Sequence, residues 1–183
     1  MAQYYVYLIS SLPALRFNAK PPFSFDRFIK MCEGLVPQDE LSILRNIRDE
    51  KHHAAVINQE TFKKWAMFLI TMKNELVKVR ASRKKLEPAK YLRPDGYADQ
   101  EMTHVVMSAY KNTSILEAER VLDEAKWHKL DELLTGHFFD LDFLITYALK
   151  LLILERWDRI NSADKSKLFK EIIATQEELK ENA

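Results

Sequence analysis

The sequence predicts an all-α protein, a bundle of several helices, and three observations carry that prediction. Glycine occurs only three times in 183 residues, at Gly34, Gly96 and Gly136, and proline six times, so the chain is poor in the turn residues that a many-stranded fold requires. Apolar residues recur at three- and four-residue spacing over long stretches, which is the period of a buried helix face. Residues that start helices and residues that stop them bracket those stretches. The length and a hydrophobic fraction of 47% suffice for one ordinary domain with its own core.

Residues 4–9, Tyr-Tyr-Val-Tyr-Leu-Ile, carry β propensity, but no second strand is evident to pair with them, and a short strand and a short helix both stay open. Pro13, Pro21 and Pro22 then hold the chain extended. Ser24 is placed to cap a short helix that Gly34 ends, and Pro37 to open another running to about Arg48. His52 and His53 fall in a polar link.

A long helix is predicted from about Gln59 to Leu86, with Asn58 as its cap. Phe62, Trp65, Leu69, Met72, Leu76 and Val79 follow a 3-4-3-4-3 spacing and draw one seam along it, which calls for a partner helix. Pro88, Pro94 and Asp95-Gly96 break the pattern, so 87–97 is the expected hinge or boundary between two helical subdomains. A helix from about Ala98 to Tyr110 follows, with Met102, Val105, Val106 and Ala109 on one face.

Ser114-Ile-Leu-Glu117 then reads as a capping box for a helix that Gly136 stops. Asp140 is placed to cap an apolar helix reaching about Ile160, whose stretch Phe143–Leu154 suits the centre of a bundle. Ser162 is placed to cap a separate last helix with Leu168, Phe169, Ile172, Ile173, Gln176 and Leu179 on one face.

The same counts exclude several chemistries. Dinucleotide-binding loops, P-loops and nucleophile elbows need clustered glycines, which the chain does not have. A single cysteine, Cys32, forbids an internal disulfide, a redox pair and a thiolate zinc site, and its apolar neighbours Phe28, Ile29, Met31 and Leu35 mark it as a buried thiol. Phe143–Leu154 is too short to span a bilayer and Lys150 interrupts it. With no basic, apolar leader at the start, the expected location is the cytoplasm.

Glu101 and His104 have the spacing that puts a carboxylate and an imidazole on one helix face, as in metal-binding bundles. No second pair at that spacing completes a set, since Glu124 precedes His128 by four positions, so no metal and no cofactor is expected.

Charge is balanced in total, with 28 basic and 27 acidic residues, but not along the chain. Lys73, Lys78, Arg80, Arg83, Lys84, Lys85, Lys90 and Arg93 stand against only Glu75 and Glu87, whereas eleven acids face four bases from Asp95 to Asp142. Such a molecule is suited to docking between partners of different charge, and Arg80, Arg83, Lys84 and Lys85 are the candidate docking residues. No aromatic residue interleaves the bases of 73–90, so a nucleic acid partner is not expected.

Two segments carry a resemblance. The start, Tyr4-Tyr-Val-Tyr-Leu-Ile-Ser-Ser-Leu-Pro-Ala-Leu15, with Lys20-Pro21-Pro22 after it, resembles an uncharacterised bacterial family encoded within operons for the V-type (A/V-type) ATP synthase. Phe143-Leu-Ile-Thr-Tyr147-Ala-Leu-Lys150-Leu-Leu-Ile-Leu-Glu155-Arg156-Trp157 is similar to the late helix of the V-type ATPase C subunit (subunit d in eukaryotes), in which a tyrosine is followed nine positions later by arginine. Tyr147 and Arg156 keep that spacing. The charged middle of the C-subunit helix is replaced here by Leu151-Leu152-Ile153-Leu154, and the Gly-Leu-Pro that often follows by Asn161-Ser162-Ala163.

The chain is roughly half as long as a C subunit, with room for fewer than its three similar helical subdomains. The resemblance therefore implies a reduced C-like central-stalk subunit. It would have no chemistry of its own and would link the rotor stalk to the membrane proteolipid ring, its place at the membrane coming through those partners. A helical adaptor or assembly factor unrelated to the ATPase is the alternative, and a metal-dependent bundle enzyme using Glu101 and His104 is a third.

Overall fold

A computed structural model describes residues 5–48 and 59–181, with backbone alone for 164–181. Every regular element among the described residues is helical: α1 (Val6–Ser11), α2 (Phe25–Cys32), α3 (Gln38–Asn46), α4 (Glu60–Lys84), α5 (Gln100–Lys111), α6 (Ile115–Leu133) and α7 (Leu141–Glu181), with a 3-10 turn at Pro88–Tyr91 between α4 and α5. The protein is an all-α multi-helix bundle, as predicted.

The axis of the bundle is α7. Leu144 through Leu151 are buried without a gap, a full two turns enclosed on every side. Helices α4, α5 and α6 pack together, and α7 also takes α2 and α3. Lys150 meets Asp131 at 2.6 Å while Arg156 meets Asp123 and Glu119, each also at 2.6 Å, so α6 runs antiparallel to α7. Buried residues of all seven helices form one contiguous cluster.

The predicted seam of α4 is its buried face. Phe62, Trp65 and Met72 are buried, and Leu69, Leu76 and Val79 pack partly buried against the core. In α5 the predicted face holds as well, with Met102, Val106 and Ala109 buried and Val105 beside them. The open choice at the N-terminus resolves to a helix: Ile9 N–H donates to the Tyr5 carbonyl at 2.9 Å, and Leu8 and Ile9 enter the core. Ser24 and Asp99 accept from Arg27 N–H and Met102 N–H and cap α2 and α5. Gly34 and Gly136 take the positive φ values of 78° and 88° that favour glycine.

Three local expectations are corrected. The cap of α4 is Gln59, whose Oε1 accepts from Phe62 N–H at 2.6 Å; Asn58, like His52 and His53, lies outside the described residues. The capping box at Ser114 is half built. Ser114 Oγ accepts from Glu117 N–H at 3.3 Å, but the Ser114 N–H goes to Asn112 Oδ1 at 3.1 Å and the Glu117 carboxylate turns to Arg120.

The break expected at Ser162 is also absent, because α7 continues to Glu181 as one helix of 41 residues. Neither glycine nor proline stands between Ile160 and Lys165, so nothing in the backbone compels a stop, and exposed Asn161 and Ser162 are tolerated within the helix. The apolar face expected for 168–179 lies where only backbone is described.

The segment 87–97 returns along α4. Asn74 grips it with both ends of its amide, Nδ2 donating to the Arg93 carbonyl at 3.0 Å and Oδ1 accepting from Arg93 N–H at 2.8 Å. Tyr97 N–H then donates to Thr71 Oγ1 at 3.3 Å.

Candidate docking surfaces

The four cations singled out from sequence stand at the end of α4. Arg80, Arg83, Lys84 and Lys85 are all exposed, and none of their side chains takes part in an ion pair or hydrogen bond among the described residues. Neighbouring Lys78 differs, since its ammonium is committed at 2.5 Å to Glu75, a carboxylate only 6% exposed.

The backbone fixes where the cluster ends. Lys85 sits in the left-handed region at φ 53°, with its N–H donating to Ser82 O at 3.1 Å and Leu86 N–H donating to Ala81 O at 3.0 Å. This closure satisfies the last carbonyls of the helix and is usually made with glycine. The cations complement the negative end of the helix dipole. They are held at the end of a rigid rod and remain free to meet an anionic surface.

The acids of α5 and α6 gather elsewhere. A cavity of about 370 Å³ lies between the two helices, walled by Asp99, Glu101, Glu124 and Glu132, with apolar Met102, Val105 and Val121 in its lining. Lys129 is its one lysine, and Glu132 neutralises it at 2.9 Å. Glu101 and Glu124 are exposed and make no side-chain bond among the described residues. The structure thus brings Glu101, Glu124 and His128 into one groove but leaves His104 exposed outside its lining.

Sequence reasoning missed a different trio. His137 Nδ1 lies 2.6 Å from Asp140 Oδ2 and 3.7 Å from Asp142 Oδ2, the one group among the described residues that could hold a metal ion. Each carboxylate already has structural work. Asp140 Oδ1 caps α7 by accepting from Phe143 N–H at 3.0 Å, and Asp142 Oδ1 accepts from Gln59 Nε2 and Thr61 Oγ1, tying the start of α7 to the start of α4. His137 has no helical period to mark it in sequence, because it lies in the link between α6 and α7.

Tyr147 and Arg156, the pair that carries the C-subunit resemblance, are both structural. Tyr147 Oη donates to the Pro13 carbonyl at 3.0 Å, and its ring stacks on Phe28 at 5.5 Å; burial pushes the phenol up to about 12. Arg156 bridges Glu119 and Asp123. Burial works against its charge, but the hydrogen bond to Glu119 and the pull of both carboxylates outweigh burial and raise its pKa.

Asp123 is 1% exposed and also accepts from Lys126 at 2.6 Å and from Trp157 Nε1 at 3.0 Å. Cys32 is fully buried, and burial alone pushes its thiol up to about 12, far from the range of a reactive thiolate.

No helix among the described residues is long and apolar enough to cross a membrane. No curated protein and no solved structure matches the chain. Residues 99–180 match the model of a family described as Protein of unknown function (DUF2764), so the similarity begins at the Asp99 cap of α5 and runs through α6 and nearly all of α7.

Proposed function

We propose that the chain is a non-catalytic protein associated with a V-type ATPase, a reduced C-like central-stalk subunit that links the rotor stalk to the proteolipid ring from the cytoplasmic face. The observation that carries this reading is the exposed, unpaired cationic end of α4, held on a rigid helix as a coupling part requires. The resemblance of residues 4–15 and 143–157 supplies the identity of the partners. Tyr147 joins these two segments to each other through its bond to Pro13. Torque transfer needs stiffness and broad contact, and a helix enclosed on all sides over Leu144–Leu151 supplies the stiffness.

The test is a tagged pull-down from gently solubilised membranes of the native host, with mass spectrometry of the recovered proteins. Central-stalk and proteolipid subunits are expected in fixed ratio. They should be lost when Arg80, Arg83, Lys84 and Lys85 are all changed to Glu while circular dichroism stays unchanged. Recovery without any ATPase subunit overturns the reading and favours an unrelated helical adaptor.

A further inference from the structure

We propose that the groove between α5 and α6 receives the cationic end of α4 from a second copy of this chain. The proposal gives the docking cations of the reading above an occupant when no other partner is present. It rests on the isolated protein, so its failure and the failure of the ATPase reading are told apart by separate measurements.

Both halves of the contact are visible on one molecule. Beyond the Lys129–Glu132 pair the groove presents three carboxylates, Asp99, Glu101 and Glu124, and among the described residues Glu101 and Glu124 have no counter-charge. Val105 and Val121 are part of its lining and only partly buried. What fits such a groove is a short run of cations with an apolar side chain beside it. The end of α4 offers that combination: Arg83, Lys84 and Lys85 are unpaired among the described residues, and the next residue, Leu86, is 47% exposed.

The cations at the end of α4 do not reach the groove of their own chain. Glu75 is anchored beside α5 by Thr103 Oγ1 at 3.2 Å, and Arg83 lies eight residues further along a continuous helix, ~12 Å away along its axis. That helix carries the cations past the groove and holds them there. Two copies do not repel each other overall, because the net charge is only +1. A contact made of surface ion pairs around one leucine is weak and sensitive to salt.

Sedimentation equilibrium on the purified full chain tests this. Over ~10 to ~500 µM protein, the weight-average mass is expected to rise with concentration in ~50 mM salt and to stay near that of one chain in ~500 mM salt. R83E/K84E/K85E and E101K/E124K should each be monomeric under both conditions and keep the wild-type circular dichroism. Mixed in equal amounts they should associate, because the acidic end of the first variant then meets the basic groove of the second. Three results overturn the proposal: a wild type that stays monomeric at low salt, association that survives E101K/E124K, or variants that fail to complement each other.

Discussion

Tyr147 and Pro13 are 134 positions apart, yet the Tyr147 hydroxyl donates to the Pro13 carbonyl at 3.0 Å. Through that bond the central helix α7 holds the extended segment that follows α1. A proline cannot donate through its own nitrogen, so its carbonyl is the group left for anchoring it. Tyr147→Phe keeps the ring between Phe28 and Phe143 and removes only this bond. The expected loss is about 1 kcal/mol, seen as a fall of roughly 3 °C in Tm with little change in the denaturant m-value. An unchanged Tm means that the anchor contributes nothing to stability.

Asp123 is the most heavily committed carboxylate among the described residues. It is 1% exposed and accepts from Arg156, Trp157 and Lys126. Asp123→Ala leaves an indole N–H and an ammonium without their acceptor while Arg156 keeps Glu119, and about 1–3 kcal/mol should be lost in urea unfolding. A double-mutant cycle with Trp157→Phe separates the indole contribution, with an expected coupling of about 1 kcal/mol. A loss below about 1 kcal/mol contradicts the buried network.

The two ends of the α4–α5 connection should respond oppositely to substitution. Lys85 occupies a left-handed conformation at φ 53°, which costs a residue with a Cβ about 1 kcal/mol relative to glycine. Lys85→Gly should therefore raise the unfolding free energy by up to that amount. At Gly96 a Cβ would collide with Nδ2 of Asn74, the side chain that holds Arg93 at both its N–H and its carbonyl. Gly96→Ala should cost about 1–2 kcal/mol, and amide exchange at Arg93 should rise with it.

Stability should fall in alkali for a reason located in the core. Burial raises the Cys32 thiol from 9.0 to about 12 and the Tyr147 phenol from 10.0 to about 12. Both groups stay protonated in the folded chain at a pH where the unfolded chain has lost those protons. Their contribution is complete below the unfolded values and disappears as pH rises through the folded ones. Urea midpoints should be flat up to about pH 9 and decline between about 9 and 12. Cys32→Ala should lower the midpoint at neutral pH but make that decline shallower, and an unaltered slope would contradict a buried neutral thiol. The same burial predicts that a thiol reagent near pH 8 labels Cys32 only after unfolding.

Much of the fold was legible because the forces that write it are local. The seam from Phe62 to Val79 is buried or packed against the core, the caps Ser24, Ser114 and Asp140 accept the N–H groups expected of them, and Gly34 and Gly136 stand at helix ends with positive φ. Each depends on residues within a turn or two, where spacing and side-chain type decide the outcome. The misread break at Ser162 has the same origin, since serine can cap a helix or ride on its exposed surface and the local residues do not choose between the two.

By itself the sequence determined an all-helical chain, a central apolar helix over Phe143–Leu154, and a basic run standing apart from the acids that follow it. Only the tertiary structure decided what those charges do. It bound Lys78 to Glu75 while leaving Arg80, Arg83, Lys84 and Lys85 free, gathered Glu101 and Glu124 into one groove, and turned Tyr147 and Arg156 to Pro13 and Asp123. The physical reason is one of range. Helix periodicity and capping are fixed within a few residues, but a polar group's partner is whichever group the packed helices bring within about 3 Å, across any separation in the chain.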